Sequence, residues 1–151
     1  MSALDPTLLS LFQEEVRGNL RFLDEGLVGL EEHPDDLRRV EPLMRAAHSV
    51  KGAVRIAGLD DAVGLAHALE ECLVLAQNGR LALTAGDLDV MLRAVDLLGR
   101  MAEALGPDSA PGEEQRDAAN QLLGQLREVV QGTHAPPMSP PPPGDDRMDG
   151  R

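Results

Sequence analysis

The sequence has no tryptophan and no tyrosine, and only two phenylalanines, Phe12 and Phe22. Any core must therefore be leucine, valine, alanine and methionine, residues that suit helix packing. β-Branched residues are sparse and no segment alternates apolar with polar, so strands have little support. Two phenylalanines offer little to stack on bases. Lys plus Arg is 14 against 26 Asp plus Glu, a formal charge of -12 that repels phosphate backbones. Nucleic acid is not an expected partner. One cysteine, Cys72, excludes an internal disulfide and a cysteine-based zinc site. It falls on the apolar face of its helix and reads as a buried thiol. No run approaches the ~18 continuous apolar residues of a membrane span, and the opening "MSALDPTLL" has no basic stretch leading into an apolar one. A cytoplasmic, soluble domain with no membrane contact is expected, and 151 residues suffice for one with a real core.

What is present is helical periodicity. Asp5-Pro6 suits a helix start, with Asp as cap and Pro in the first turn. From there Leu8, Phe12, Val16, Leu20, Leu23, Leu27 and Leu30 follow in steps of three and four, one apolar stripe reaching about Glu32. "HPDD" breaks it. A second helix begins within "DDLRRVEPLM", either after a short turn or at Glu41-Pro42, and stops at Gly58. Asp60 or Asp61 is the expected cap of a third, running to "QNG". Thr84 and Asp87 form a capping-box start for a fourth, which Gly106-Pro107 stops after Leu105. A weaker pattern over about 113–131 predicts a fifth, with Leu122, Leu123, Leu126 and Val130 as its apolar face. Helices of this length with short connections predict an all-α, antiparallel up-down four-helix bundle over 5–105, the fifth helix packing alongside or extending it and the domain closing at 131. Residues 132–151, "GTHAPPMSPPPPGDDRMDGR", have little to bury and read as a disordered, proline-rich linker or tail.

Within the second helix, "AAHSVKGAV" stands out. At 100° per residue, Leu43, Ala47, Val50, Val54 and Ala57 gather roughly 100–180° from His48, and they are the core stripe. His48 therefore faces solvent or the boundary, next to Met44, Lys51, Gly52 and Arg55. A surface histidine needs no function. Here, however, Lys51 lies one turn on, where an ammonium can meet an anion placed on the ring, and Arg55 extends a positive strip in an acidic chain. Gly52 costs a helix interior about 1 kcal/mol relative to Ala, which makes sense if another backbone must come close.

The third helix supplies a partner. In "LAHALEEC", Leu65, Ala66, Leu69, Cys72, Leu73 and Ala76 form the core stripe, Glu70 sits at its edge and His67 on the polar side. An antiparallel neighbour joined through "GLDD" can bring Glu70 to His48. A carboxylate accepting from one imidazole nitrogen fixes the tautomer and frees the other as nucleophile. Taken alone, Glu70 reads as a solvated helix charge. A metal held by His48, His67 and Glu70 is disfavoured by the cations beside them, so no metal is expected. Ser49 has no base on its own helix to activate it.

"RAAHSVKGAVRIAGL" followed by "AHALEE" resembles the histidine phosphotransfer (HPt) domain at the N-terminus of CheA-type chemosensory histidine kinases, closest in character to the Wsp-type hybrid kinases of surface-sensing pathways. The likeness covers roughly residues 8–105. It implies that His48 is phosphorylated on its outer ring nitrogen, that Glu70 orients it, and that Lys51 and His67 complete the site. Gly52, with Arg55 and Met44 beside it, would meet a partner. The implied partners are a kinase catalytic domain with bound ATP, as donor, and a response regulator receiver domain, whose aspartate accepts. No cofactor is implied, and no glycine-rich nucleotide loop is present. The chain departs from many chemotaxis relatives at "AVRIAG", where they are richer in glycine. The opposing class is a helical bundle used only for docking or dimerisation, with His48 idle.

Overall fold

The computed structural model describes residues 5–132, which form five α-helices: α1 (Pro6–Glu32), α2 (Val40–Ile56), α3 (Asp60–Gln77), α4 (Ala85–Ala104) and α5 (Glu113–Gln131). No β-strand forms among them. The expected proline-rich segment falls almost wholly outside the described residues. Each boundary has a local cause. The Asp5 carboxylate accepts the Leu8 amide at 2.8 Å, and Pro6 takes the position where its missing N–H costs nothing. Pro42 is accommodated by starting α2 at Val40, behind a single 3-10 turn over Leu37–Arg39, so proline lies in the first helical turn. At the end of α2, Gly58 adopts φ +79°, its amide reaching the Arg55 carbonyl and that of Leu59 the Val54 carbonyl. This paired closure of a helix needs the left-handed conformation that glycine takes without penalty. Thr84 and Asp87 cap α4 reciprocally, Thr84 Oγ1 accepting the Asp87 amide at 3.0 Å and Asp87 Oδ2 the Thr84 amide at 2.9 Å.

Three local expectations are corrected. Neither Asp60 nor Asp61 caps α3. The closure of α2 leads straight into the next helix, so Leu59 holds the cap position and both aspartates fall in the first turn, where they face the positive end of the helix dipole. Leu8 is exposed, not buried. Gln13 Nε2 donates to the carbonyls of Ala102 and Leu105 at the end of α4, so the first turn of α1 runs on past its neighbour. On α5, Val129 is fully buried and Val130 only partly.

Consecutive helices pack side by side, α1 on α2 and α2 on α3, and α4 returns to α1 to close the bundle. α5 lies against both α3 and α4, burying Ala119, Leu126 and Val129. It belongs to the body more fully than a helix laid alongside. The core is leucine-rich as expected, with Leu23, Leu27, Leu43, Leu65, Leu69, Leu73, Met91 and Leu98 fully buried. Cys72 is among the buried residues. Its Sγ lies 3.8 Å from the Leu126 carbonyl, and burial with nearby acidic groups pushes the thiol up to about 12.

Candidate functional site

The pairing of α2 with α3 sets the site. Every residue of the expected α2 stripe is buried, from Leu43 through Ala57, as are the expected α3 stripe residues from Leu65 through Ala76. His48 is thereby turned away from the core, its side chain 68% exposed. Glu70, at the edge of the α3 stripe, comes under it. His48 Nδ1 lies 2.9 Å from Glu70 Oε2. The other carboxylate oxygen, Oε1, is shielded from solvent and lies 2.8 Å from Lys51 Nζ.

Glu70 is 16% exposed. Burial pushes its pKa up, but the Lys51 ammonium and the His48 ring pull it down further, and the net result lies below the ordinary glutamate value. An ionised carboxylate can only accept hydrogen bonds. The Nδ1 position must therefore carry the proton and donate it, which leaves Nε2 as the bare lone pair on the exposed edge of the ring. The arrangement is an imidazole held in one tautomer by a carboxylate that a largely shielded lysine holds in turn.

Lys51 differs from its sequence reading. It does not stand free as a cation awaiting an anion on His48, because its ammonium is engaged with Glu70 and its side chain is only 13% exposed. The wheel put Lys51 beside His48 correctly, but which flank of that face meets α3 depends on the packing partner. His67 is exposed on α3, one turn before Glu70, and makes no hydrogen bond or ion pair with His48 or Glu70. Gly52 has open space around it, and a Cβ there would meet nothing within 4 Å. The glycine is therefore not required by packing between helices. Arg55 is exposed with no ion pair among the described residues, and Met44 is partly buried against the core. No group of three His, Cys, Asp or Glu among the described residues is placed to hold a metal ion.

Comparison with known proteins bears on this geometry. Residues 7–132 match the family model described as "Hpt domain". The chemotaxis protein CheA of Bacillus subtilis (strain 168) is 35% identical over 97 residues, 64% of this chain and 14% of that protein. CheA of Rhizobium meliloti (strain 1021) is 34% identical over 122 residues, 81% of this chain and 16% of that protein. The chain thus spans less than a fifth of the length of these relatives. Among solved structures, the phosphorylated P1 domain of CheA3 in complex with CheY6 from R. sphaeroides superposes with a TM-score of 0.73 at 26% identity, covering 82% of this chain and 95% of that one.

Proposed function

The chain belongs to the Hpt domain family, and from that premise we propose that it is a phosphoryl carrier whose His48 is loaded by an ATP-dependent kinase domain and discharged to a receiver aspartate. The observation that carries this reading is the exposed His48 ring with its Nδ1 held by a largely shielded, ionised Glu70.

In the loading step the Nε2 lone pair attacks the γ-phosphorus of ATP held by the kinase domain. The N–P bond forms as the bond to the bridging oxygen breaks, and ADP departs. The ring becomes a phosphoimidazolium still donating from Nδ1, and Glu70 lies against the positive charge that develops there. Lys51 keeps Glu70 ionised and in position. In the second step a carboxylate oxygen of the receiver aspartate attacks phosphorus, the N–P bond breaks, and the imidazole returns to its neutral tautomer. No net proton moves in the two steps. Transfer to a receiver is supported by the likeness to a phosphorylated P1 domain bound to CheY6. Gly52 gives the approaching partner room one turn from the ring. His67 stands one turn from Glu70 on the exposed side, where its ring can accompany the phosphoryl group. The donor is a cytosolic nucleotide, so loading belongs in the cytoplasm.

The test is incubation with a CheA-type kinase core and labelled ATP. The wild type should gain a phosphoryl group that is acid-labile and base-stable. His48→Gln should gain none, with helicity and Tm nearly unchanged because the side chain is outside the core. Label retained on the variant would overturn the assignment.

A further inference from the structure

One end of the bundle holds a cavity of about 300 Å³ that shares no residue with the His48 site. Its floor is apolar and comes from four helix ends: Leu30 of α1, Val40 of α2, Ala76 of α3 and Leu88 of α4. Pro34 and Leu37, from the connection between α1 and α2, wall it together with Leu81 and Leu83, from the connection between α3 and α4. Connections between helices run through solvent and are ordinarily polar. This second one instead reads Leu81, Ala82, Leu83, and its burial alternates: both leucines are partly buried and Ala82 is exposed. That is the period of an extended strand. None of the three makes a backbone hydrogen bond to another described residue. Their N–H and C=O groups, beside the cavity, are left for solvent or a ligand. Among the described residues of the lining, Asp35 alone is charged. It is exposed and makes no ion pair among the described residues, whereas Asp36 beside it is taken by Arg39 at 3.1 Å and Arg38 at 3.5 Å.

We propose that this cavity and the Leu81–Leu83 backbone form a binding site for an extended peptide segment of another protein, one with two apolar side chains at i and i+2 and a basic residue beside them. A strand laid along Leu81–Leu83 pairs its own N–H and C=O groups with those left unused there. The side chains of such a strand that face the cavity are two residues apart. About 150 Å³ admits a benzene-sized group, so a cavity of twice that size takes two branched aliphatic side chains. Leu37, 48% exposed at the mouth, is covered by the same segment and loses its contact with water. Asp35 favours a cation there over an anion, and the chain's formal charge of -12 does the same at longer range. A small apolar molecule would fill the cavity but leave the backbone and the carboxylate unused. The chain's own segment after residue 132 is poorly suited, because Pro136, Pro137 and Pro140 to Pro143 have no N–H to donate. A second copy of the chain brings the same negative charge.

The experiment titrates the isotope-labelled full chain with the capped peptide Lys-Leu-Thr-Leu-Lys and follows each backbone amide by NMR. The amides of Leu81, Ala82 and Leu83 should shift together and exchange more slowly with solvent, with a Kd below about 1 mM. Those of His48 and Glu70 should not move. Leu37→Asp, which puts a charge where the segment must lie, should raise Kd about tenfold or more. Asp35→Asn, a change at an exposed position, should raise Kd several-fold at low salt and less at high salt. The same peptide with glutamate in place of both lysines should bind more weakly than the lysine peptide. The site is overturned if the amides do not shift at millimolar peptide, or if both variants bind as the wild type does. It is overturned if the fully N-methylated peptide, or indole alone, binds as tightly, since the cavity then takes any apolar group without strand pairing. Equal binding of the glutamate peptide also overturns it. Signals from residues after 132 that move along the same titration curve would make the chain's own segment the occupant. Leu81–Leu83 signals that move with protein concentration alone would make a second copy the occupant, and either result displaces the proposed one.

Discussion

At the scale of the residue, the site is one carboxylate shared between two cationic or potentially cationic groups. Glu70 has a folded-state pKa below its ordinary value, so the stability it contributes is present at neutral pH and is lost as pH falls below 4.5 toward the folded pKa. Glu70→Gln should therefore melt below the wild type at neutral pH, and the gap should close as both are acidified, because protonated glutamate and glutamine then resemble each other. Melting curves at a series of pH values check this, and a gap constant with pH would show that the carboxylate charge is not what matters. The same substitution should slow loading of His48 by at least about tenfold, since an amide no longer enforces one imidazole tautomer. Lys51→Met should act through Glu70, lowering the loading rate and raising the Glu70 pKa, which carboxyl-carbon NMR titration reads directly. His48 and Glu70 were legible as a pair in the sequence because each sits at a definable angle from a long apolar stripe. The Lys51–Glu70 contact was not, because a wheel gives a face and not the flank on which the next helix lies.

At the scale of the element, helix ends were the most legible features where a side chain or glycine determines them, as at Asp5, Gly58, Thr84 and Asp87. They were least legible at the start of α3, where the close of one helix dictates the opening of the next and the aspartates have no capping role. The glycine pattern of α1 was also overlooked, because its meaning depends on Leu43 across the helix crossing. Gly26→Ala tests that crossing. The added methyl collides with three atoms of the buried Leu43 side chain, and such overpacking should cost about 1–3 kcal/mol by denaturant titration. α5 was underestimated for a related reason: its own sequence is polar, and only the groove between α3 and α4 shows how much it covers. Leu126→Ala should cost about 2–5 kcal/mol while leaving the site on α2 and α3 chemically intact. Cys72 is the reporter for this helix. Buried, with its thiol pushed up to about 12 and Sγ against the Leu126 carbonyl, it should ignore a thiol reagent in the native protein and react once α5 is released. Rapid native labelling would mean that α5 is not seated as described.

At the scale of the whole molecule, the fold separates stability from chemistry. The leucine core runs through all five helices, whereas His48, Glu70 and Lys51, the groups proposed to serve phosphoryl transfer, lie together on one face of α2 and α3. On the proposed reading this separation lets two partners reach the same ring in turn while the bundle stays folded. The chain is acidic overall, and of the cations on α2 Arg45 pairs with Glu41 and Lys51 with Glu70, which leaves Arg55 as the one without an ion pair among the described residues. Residues within 5–132 supply the core and site contacts described above. Truncation after Gly132 should therefore leave both Tm and the loading rate of His48 within error of the full chain. The prediction rests on the composition of the removed segment, with Pro136, Pro137 and the run Pro140 to Pro143 and few large apolar side chains. A clear fall in Tm would show that the segment packs on the bundle. A fall in loading alone would show that it helps recruit the kinase, and the domain boundary would then have to move past Gly132. The expected result places the whole phosphotransfer apparatus within the five helices, and makes α5, not the segment after it, the last part of the chain on which His48 depends.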